Sequence, residues 1–340
     1  MVTHNFILIF HSFINHHLGF HSVNGRMFDF MPADVMPRPI QQSTPIRSLA
    51  QSQEFARALR SHGQEPLVLD QLNDTVVMRR RFMGCVDVAM VNRARIDKPL
   101  RLVELLQEQG MRRTPVILSP ENPTPELFKT GAVPLMSPAQ IARLDLTAPK
   151  EERRAALHQK WRNRLKHAES QTLRVTRQSM PLDPAHWLLQ AEAKQQGQRG
   201  YRNWPTDLTL AYVRENPGKA KLFQAIEGKE IVAAVLILCH GTCASYHISH
   251  TTDRGRALSA HNLLMWNAMS WLSAKDYVEL DLGLINTEDA AGLARFKLGT
   301  GAKLHELGGT WGYWPPMGRL LRPLASLDRG LMTPRKTGQV

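Results

Sequence analysis

The sequence predicts a mixed α/β fold made of two tandem units, each a mixed and largely antiparallel sheet flanked by helices. Three observations support this prediction. The chain has 340 residues, enough for two domains that each bury a core. Its composition, 43% hydrophobic and 21% charged, is that of a globular protein. The predicted order of elements in residues 45–148 is repeated in residues 149–316, without obvious residue identity between the two.

Residues 1–44 read as an irregular or wrongly assigned extension. The first twenty residues are apolar but interrupted by polar side chains, and no Lys or Arg precedes Arg26, so the charged region of a secretory signal is missing. The run is also too short to span a bilayer. We expect translation to begin at Met27 or Met31, and residues 1–26 to be dispensable. The alternative is a short membrane-touching segment.

The first unit, residues 45–148, is predicted as helix, three strands, helix, strand, helix, strand. Ser43 or Thr44 is the expected cap of a helix over residues 45–61. Asn73-Asp74 predicts a hairpin turn between strands at 66–70 and 75–81. The other predicted elements are a strand at 85–91, a helix at 99–110, a strand at 116–118, a short helix at 124–130 and one or two strands within 132–146.

The second unit, residues 149–316, begins with a charged helix in which Leu157, Trp161 and Leu165 recur at helical spacing. The later predicted elements are a strand at 172–177, a helix from Asp183, a helix at 205–215, a three-stranded meander at 221–226, 231–239 and 244–249, a loop at 251–258, a helix at 259–274, a strand at 278–282, a helix at 290–298 and strands near 303–307 and 310–314. Residues 317–340 form a basic tail.

The formal net charge of +13 favours an anionic partner: phosphates, nucleic acid or an anionic membrane face. The alternative is a basic but inert surface. Cys85, Cys239 and Cys243 form no metal-ligand pattern, and no H-E-x-x-H occurs, so we expect no metal. An odd number of cysteines fits a reducing, cytoplasmic location. No other stretch reaches eighteen uninterrupted apolar residues, so we expect no stable membrane insertion.

The segment between the meander and the next helix is the predicted binding site for the pyrophosphate of a ligand. A Gly-containing loop that opens into a helix presents backbone N–H groups and the positive end of the helix dipole, to which arginines add full charges. These features suit a pyrophosphate; the alternative is an ordinary β–α connection. The residues concerned are Arg254, Gly255, Arg256, Ala257 and Ser259.

Three residues are candidates for catalysis. Asp281 ends a predicted strand, where open α/β sheets place ligands. Lys297 can stabilise the negative charge that develops during a group-transfer reaction, or it can simply complement the dipole at a helix end. His250 titrates in the range suited to a general base, although strand histidines are usually structural.

Arg162, Tyr246 and Arg295 are candidates for substrate binding, the arginines because they suit an anionic group. A solvated charged face is the alternative for Arg162. Strand alternation predicts that Tyr246 and His250 point to one side of the sheet and His247 to the other.

Several segments of the second unit resemble the Fem-type and CelD-like branch of the GNAT acyltransferases. This branch includes the GNAT domain of the BioF-operon type. They are KWRNRLKHAE (160–169), HNLLMWNAMSWL (261–272) and GLARFKLGTGA (292–302), with F-K-x-G-x-G-A at 296–302 the most specific. The resemblance implies two GNAT-like units, the first degenerate. It also implies transfer of an acyl or aminoacyl group to an amine.

The resemblance has two departures. Residues 254–259 keep the arginine of the GNAT signature Q/R-x-x-G-x-G/A, but Ala257 and Ser259 stand where its two small residues belong. No heptad stretch marks the long helical arm of many Fem proteins. The leading hypothesis is therefore an N-acyltransferase that uses acyl-CoA and an amine acceptor, a small molecule or a cell-envelope precursor. The alternatives are an aminoacyltransferase that uses charged tRNA in building a peptidoglycan bridge, and a non-catalytic binding protein of the same fold.

Overall fold

The computed structural model of the chain describes residues 46–82, 86–201 and 203–314. The predicted extension at 1–44, the tail at 317–340 and Cys85 lie outside the described residues. The helices and strands follow the predicted order closely, and the fold class is confirmed: two mixed sheets are flanked by helices.

Helices and strands alternate in the first part of the chain much as predicted. In chain order they are α1 (Gln53–Ser61), β1 (Leu67–Leu69), β2 (Thr75–Phe82), β3 (Val86–Ala94), α2 (Pro99–Glu108), β4 (Val116–Pro120), β5 (Val133–Met136) and β6 (Gln140–Asp145). Short 3-10 helices cover Leu49–Gln51, Asp70–Leu72 and Pro125–Thr130.

The second part is richer in helix. Its elements are α3 (Lys150–Ala156), α4 (Gln159–Glu169), β7 (Leu173–Ser179), α5 (Trp187–Arg199), α6 (Thr206–Glu215), β8 (Ala220–Glu227), β9 (Glu230–His240), β10 (Cys243–Thr251), α7 (Asp253–Ala257), α8 (Ala260–Ser273), β11 (Glu279–Leu284), α9 (Ala291–Leu298), β12 (Lys303–Glu306) and β13 (Thr310–Tyr313).

The first helix begins later than predicted. Ser52, not Ser43 or Thr44, caps α1, and its side chain accepts a hydrogen bond from the Phe55 backbone N–H at 3.0 Å. The predicted hairpin turn is present: Asn73 and Asp74 both have φ of 51° and connect β1 to the antiparallel β2.

The strands form two sheets that exchange strands with each other. The first has six strands in the order β1-β2-β3-β4-β13-β5, and the second has seven in the order β12-β6-β11-β10-β9-β8-β7. β6 comes from the first half of the chain but lies in the second sheet, whereas β13 comes from the end of the described chain but lies in the first. The predicted boundary between residues 148 and 149 falls after the first of these two strands.

Apolar side chains cover both faces of the second sheet. One face packs against α4 and α8, with Leu165, Leu264 and Met269 fully buried. The other face packs against α1, α5 and α6 through Leu59, Leu188 and Tyr212, among others. Because the central strands β9 and β10 are buried on both sides, their position is fixed by packing as well as by hydrogen bonds.

A group of buried charges joins the two sheets. Arg93, in β3, has Nη1 2.5 Å from Asp281 Oδ2 and Nη2 2.8 Å from Glu121 Oε1. Arg143, in β6, also pairs with Glu121, and its Nε lies 3.6 Å from Glu279 Oε1. Removing one member of such a network would leave its partner charged and unpaired away from water, which is strongly destabilising.

Candidate active site

The second sheet opens between its two central parallel strands. β10 and β11 pair in the register Cys243–Glu279, Ala244–Leu280 and Ser245–Asp281, and the pairing ends there. β10 nevertheless continues to Thr251 along β9. The two strands therefore stop pairing toward their carboxyl ends, and β10 beyond Ser245 has no hydrogen-bonded neighbour on the β11 side.

A β-bulge marks the start of this opening. The register of β10 with β9 shifts between Tyr246 and Ile248, which leaves His247 as the extra residue. Because of this bulge, the prediction that Tyr246 and His250 share one side of the sheet is wrong. Tyr246 packs on the α8 side, whereas His250 lies against Trp187 of α5 with ring centroids 6.0 Å apart.

His250 is therefore separated by the sheet from most of the other candidates. Burial and the nearby Arg256 lower the pKa of His250, so its neutral form is favoured. The bulge residue His247 is on the same side, where its Nε2 lies 3.1 Å from Thr209 Oγ1.

The helix α8 begins at the opening. Its N-cap residue Ser259 has a left-handed backbone with φ of 53°, and its side chain makes no capping hydrogen bond. The first N–H groups of an α-helix lack partners within the helix, and the helix dipole places a partial positive charge there. The start of α8 is thus suited to bind an anionic group.

The segment predicted as a loop at 251–258 contains the short helix α7. Thr252 caps it by accepting a hydrogen bond from the Gly255 N–H, and the Thr252 hydroxyl also donates to Val232 O in β9. A Cβ added to Gly255 would lie 2.1 Å from Val232 O. Glycine is therefore required at this position by the close approach of two backbones.

The arginines of α7 are exposed and already paired. Arg254 donates two hydrogen bonds to Glu227, and Arg256 pairs with Asp253 at 2.7 Å. Ala257 is exposed beside them. Exposed ion pairs of this kind contribute little to stability, so both guanidinium groups can turn toward a stronger anion.

Lys297 is buried at the carboxyl end of β11. Its Nζ donates a hydrogen bond to Leu284 O at 2.8 Å. Burial lowers its pKa to about 8, although the nearby Asp281 carboxylate opposes this shift. The lysine is anchored in one place, and its charge is only weakly compensated.

Asp281 is turned toward the junction of the two sheets. Its Oδ2 accepts from Arg93, and its Oδ1 accepts from the Gly283 backbone N–H at 2.7 Å. Both carboxylate oxygens therefore have protein partners. Asp281 lies near Lys297, but its carboxylate is engaged by Arg93 and the Gly283 N–H, which is a structural role.

The remaining two predicted residues lie on helices at the side of the site. Arg162, on α4, donates to Ala155 O at 3.3 Å, and Arg295 is exposed on α9. Within the described part of the chain, no three His, Cys, Asp or Glu side chains are grouped to hold a metal ion.

His261, which the sequence analysis did not select, lies at the opening. Its Nε2 is 3.2 Å from the hydroxyl of Tyr246, which in turn donates to Ser249 Oγ at 2.5 Å. Its ring centroid is 5.0 Å from that of Phe296 on α9. The imidazole thus contacts both β10 and α9.

Two buried polar atoms near Phe296 have no hydrogen-bond partner among the described residues. They are His261 Nδ1 and Trp161 Nε1, and the Trp161 ring centroid is 5.9 Å from that of Phe296. Burying such a group without a partner is costly. A polar ligand in this region would offset that cost. The sequence marks His261 in one way only. It lies in the first turn of the helix that follows the predicted phosphate-binding loop at 251–258.

A carboxylate lies near the bulge on the α5 side. Glu192 is buried and accepts hydrogen bonds from Tyr201 at 3.0 Å and from Asn203 Nδ2 at 2.9 Å. Asn203 Nδ2 also donates to His247 O, the carbonyl of the bulge. Burial raises the pKa of Tyr246 to about 12, and the Glu192 carboxylate contributes to that shift.

Comparison with known proteins places this site in a family. Residues 153–302 match the acetyltransferase (GNAT) domain family. No curated protein sequence matches the chain. A FemX crystal structure, 11% identical, superposes with a TM-score of 0.64 over 81% of this chain and 94% of its own. A conserved protein of unknown function from Bacteroides thetaiotaomicron VPI-5482, 12% identical, gives 0.53 over 78% and 92%.

The family match over residues 153–302 assigns this part of the chain to the acyltransferases. Residues 153–302 belong to the GNAT acetyltransferase family, as the resemblance of residues 292–302 implied. The fold shared with FemX spans most of this chain. Within the described ranges, no helix is both long and apolar enough to cross a bilayer.

Proposed function

We propose that the chain transfers an acyl group from an acyl-CoA to an amine acceptor, in the opening between β10 and β11. The observation that carries this proposal is the separation of the two strands in front of the start of α8, which has no side-chain cap. An extended ligand with amide groups can hydrogen-bond to the unpaired edges of separated strands, as peptides do at sheet edges. The pantetheine arm of coenzyme A has this chemistry.

The start of α8 supports a place for the phosphates of the donor. The N–H groups of its first residues and its helix dipole attract anions, and Arg254 and Arg256 lie on the short helix just before it along the chain. The neighbouring acids Glu227 and Asp253 reduce the net positive charge of α7. We therefore assign the main contacts to the backbone and a secondary, salt-dependent part to the arginines.

In the proposed reaction the amine nitrogen attacks the thioester carbonyl, so that a C–N bond forms and the C–S bond breaks. Negative charge develops on the carbonyl oxygen during the attack. Backbone N–H groups of the opened strand β10 are suited to stabilise that charge, as is the Lys297 ammonium if the oxygen points toward it.

An aminoacyl-tRNA donor is the second candidate. The net charge of +13 and the fold shared with FemX favour it. The two donors differ in what they leave on the purified protein, because a tRNA is a polynucleotide that ribonuclease degrades and high salt releases, whereas coenzyme A is a small molecule identified by its mass. Mass spectrometry of the denatured protein therefore separates the two candidates before any acceptor is known.

The first test concerns the arginines of α7. Replacing Arg254 and Arg256 together by Ala should weaken coenzyme A binding about five- to tenfold at low ionic strength, and less in high salt, since salt already screens the wild-type attraction. Isothermal titration calorimetry at the two ionic strengths measures both effects.

The matched control is the double replacement of Arg81 and Arg101 by Ala. Both are exposed arginines in ion pairs, far along the chain from the site, so the control removes the same charge elsewhere. An equal loss of affinity in the control, or no loss in Arg254→Ala/Arg256→Ala at low salt, would remove α7 from the donor site.

A further inference from the structure

We propose that His261 Nδ1 accepts the proton that the attacking amine loses. This inference rests on the proposed acyl transfer to an amine and adds the group that completes it. His261 was not among the candidate residues, and His250, which was, lies on the other side of the sheet.

The hydrogen bonds of Tyr246 set the tautomer of His261. The Tyr246 hydroxyl has one proton, and it donates that proton to Ser249 Oγ at 2.5 Å. Its oxygen must therefore accept from His261 Nε2, which lies 3.2 Å away and carries the ring proton. Nδ1 is left as an unprotonated acceptor.

The lone pair of His261 Nδ1 is in a place where the attacking amine can meet it. Nδ1 is buried and has no hydrogen-bond partner among the described residues. The ring lies between Tyr246, the last β10 residue before the bulge, and Phe296 on α9, and so is next to the point where β10 and β11 stop pairing. An unpaired lone pair that faces no protein donor is satisfied when an amine N–H binds there.

The surroundings keep His261 neutral. Burial lowers its pKa to about 4. The ring also belongs to the first turn of α8, whose dipole disfavours a positive charge. The facing side chains are Tyr246, with its own pKa raised by burial, and the uncharged Phe296. The base is therefore already deprotonated at neutral pH.

The proton passes from the amine to His261 and then to the leaving thiolate. The amine nitrogen bonds to the acyl carbon and becomes positively charged, which makes its N–H acidic. Nδ1 takes that proton as the tetrahedral intermediate forms. The C–S bond then breaks, and the thiolate leaves with the electron pair. The imidazolium returns the proton to the thiolate, which gives the amide and the free thiol.

The kinetic test uses acetyl-CoA as donor and hydroxylamine as a generic amine, with hydroxamate formation as readout. His261→Gln keeps an N–H near the position of Nε2 but removes the imidazole base. We expect a rate lower by about a hundredfold or more, with coenzyme A affinity and the thermal unfolding midpoint little changed. Added imidazole should partly rescue His261→Gly. His167→Gln, an exposed histidine at the end of α4, is the matched control and should keep the wild-type rate.

A second measurement does not depend on the donor. The ¹⁵N shifts of His261 in the wild-type protein should show Nε2–H with Nδ1 unprotonated, and the ring should stay neutral down to at least pH 6. Tyr246→Phe should weaken the preference for this tautomer. A protonated Nδ1, or a His261→Gln rate within about threefold of wild type, would overturn the inference. Absence of hydroxamate from the wild-type protein would instead refute the proposed acyl-CoA donor, and the ¹⁵N shifts would still decide on His261.

Discussion

Burial holds the Lys297 ammonium in one position, unlike that of a lysine on a helix surface. A lysine in the last turn of a helix ordinarily complements the dipole from the surface. Here its ammonium is buried and bonded to Leu284 O, at the end of the strand that borders the opening. Its position beside the proposed path of the acyl group supports a role in binding or stabilising charge.

Replacing Lys297 by Ala should lower turnover by about a hundredfold if its charge acts on the reacting group. A lysine that only complements the dipole would cost about 0.3 to 1 kcal/mol of stability and leave turnover nearly unchanged. Steady-state kinetics and urea denaturation of the same variant separate these roles. Lys297→Arg keeps the charge with a different geometry, so its rate should stay well below wild type.

The same residue gives a dependence of stability on pH. The folded pKa of about 8 lies below the ordinary 10.5, so between these values the unfolded chain binds more protons than the folded one. The free energy of unfolding should therefore rise with pH across this window in wild type relative to Lys297→Met. Urea denaturation at about pH 7 and about pH 9.5 checks the sign. Equal slopes for the two proteins would show that the lysine is not buried.

At the scale of residues, the roles expected of Tyr246 and Lys297 stay predictions, whereas the side of the sheet expected for His250 is wrong. The bulge at His247 reversed the predicted side of His250, because one extra residue shifts every later side chain to the other face. His261 carries no pattern of its own, since its role depends on a hydrogen bond that crosses from α8 to β10.

At the scale of elements, the short helix α7 holds the start of α8 against β9. The contact centres on one carbonyl: Gly255 lies against Val232 O, and both the backbone N–H and the hydroxyl of Thr252 donate to it. The predicted loop at this place lacked the helix because five residues give too little periodicity to detect. The start of α1 was misplaced for a similar reason, since several serines and threonines compete as caps.

Gly255→Ala should destabilise the protein by about 1 to 3 kcal/mol and weaken donor binding, because the added methyl forces α7 away from β9. Gly197→Ala in α5 is the matched control. An added Cβ there meets nothing within 4 Å, so the variant should gain about 0.5 to 1 kcal/mol from helix propensity. Urea denaturation and calorimetry measure both. Equal stability of the two variants would contradict the close backbone contact.

At the scale of the whole molecule, the exchange of β6 and β13 ties the two sheets together. Element order predicted both sheets, but it could not show the exchange, since strand neighbours depend on contacts between residues far apart in the chain. Trp311 and Tyr313 of β13 belong to the core of the first sheet. β6 similarly lies between β12 and β11 of the second.

Residues 45–148 and 149–316, expressed as separate chains, should therefore each fail to unfold cooperatively. The first piece lacks the strand between β4 and β5, and the second lacks the strand between β12 and β11. Co-expression should restore a single transition, which circular dichroism and hydrogen exchange would detect. Cooperative unfolding of either piece alone would show that the exchanged strand is dispensable and would favour independent domains.

The place of β13 also sets an order of events during synthesis. Its pairing of Trp311 with Leu118 joins residues about 190 positions apart, so the first sheet stays incomplete until the ribosome has made almost all of the described chain. Until then β4 and β5 have open edges that invite wrong pairing. The first half of a nascent chain of this architecture therefore waits, with its apolar strands incompletely paired, until the last strand has been made.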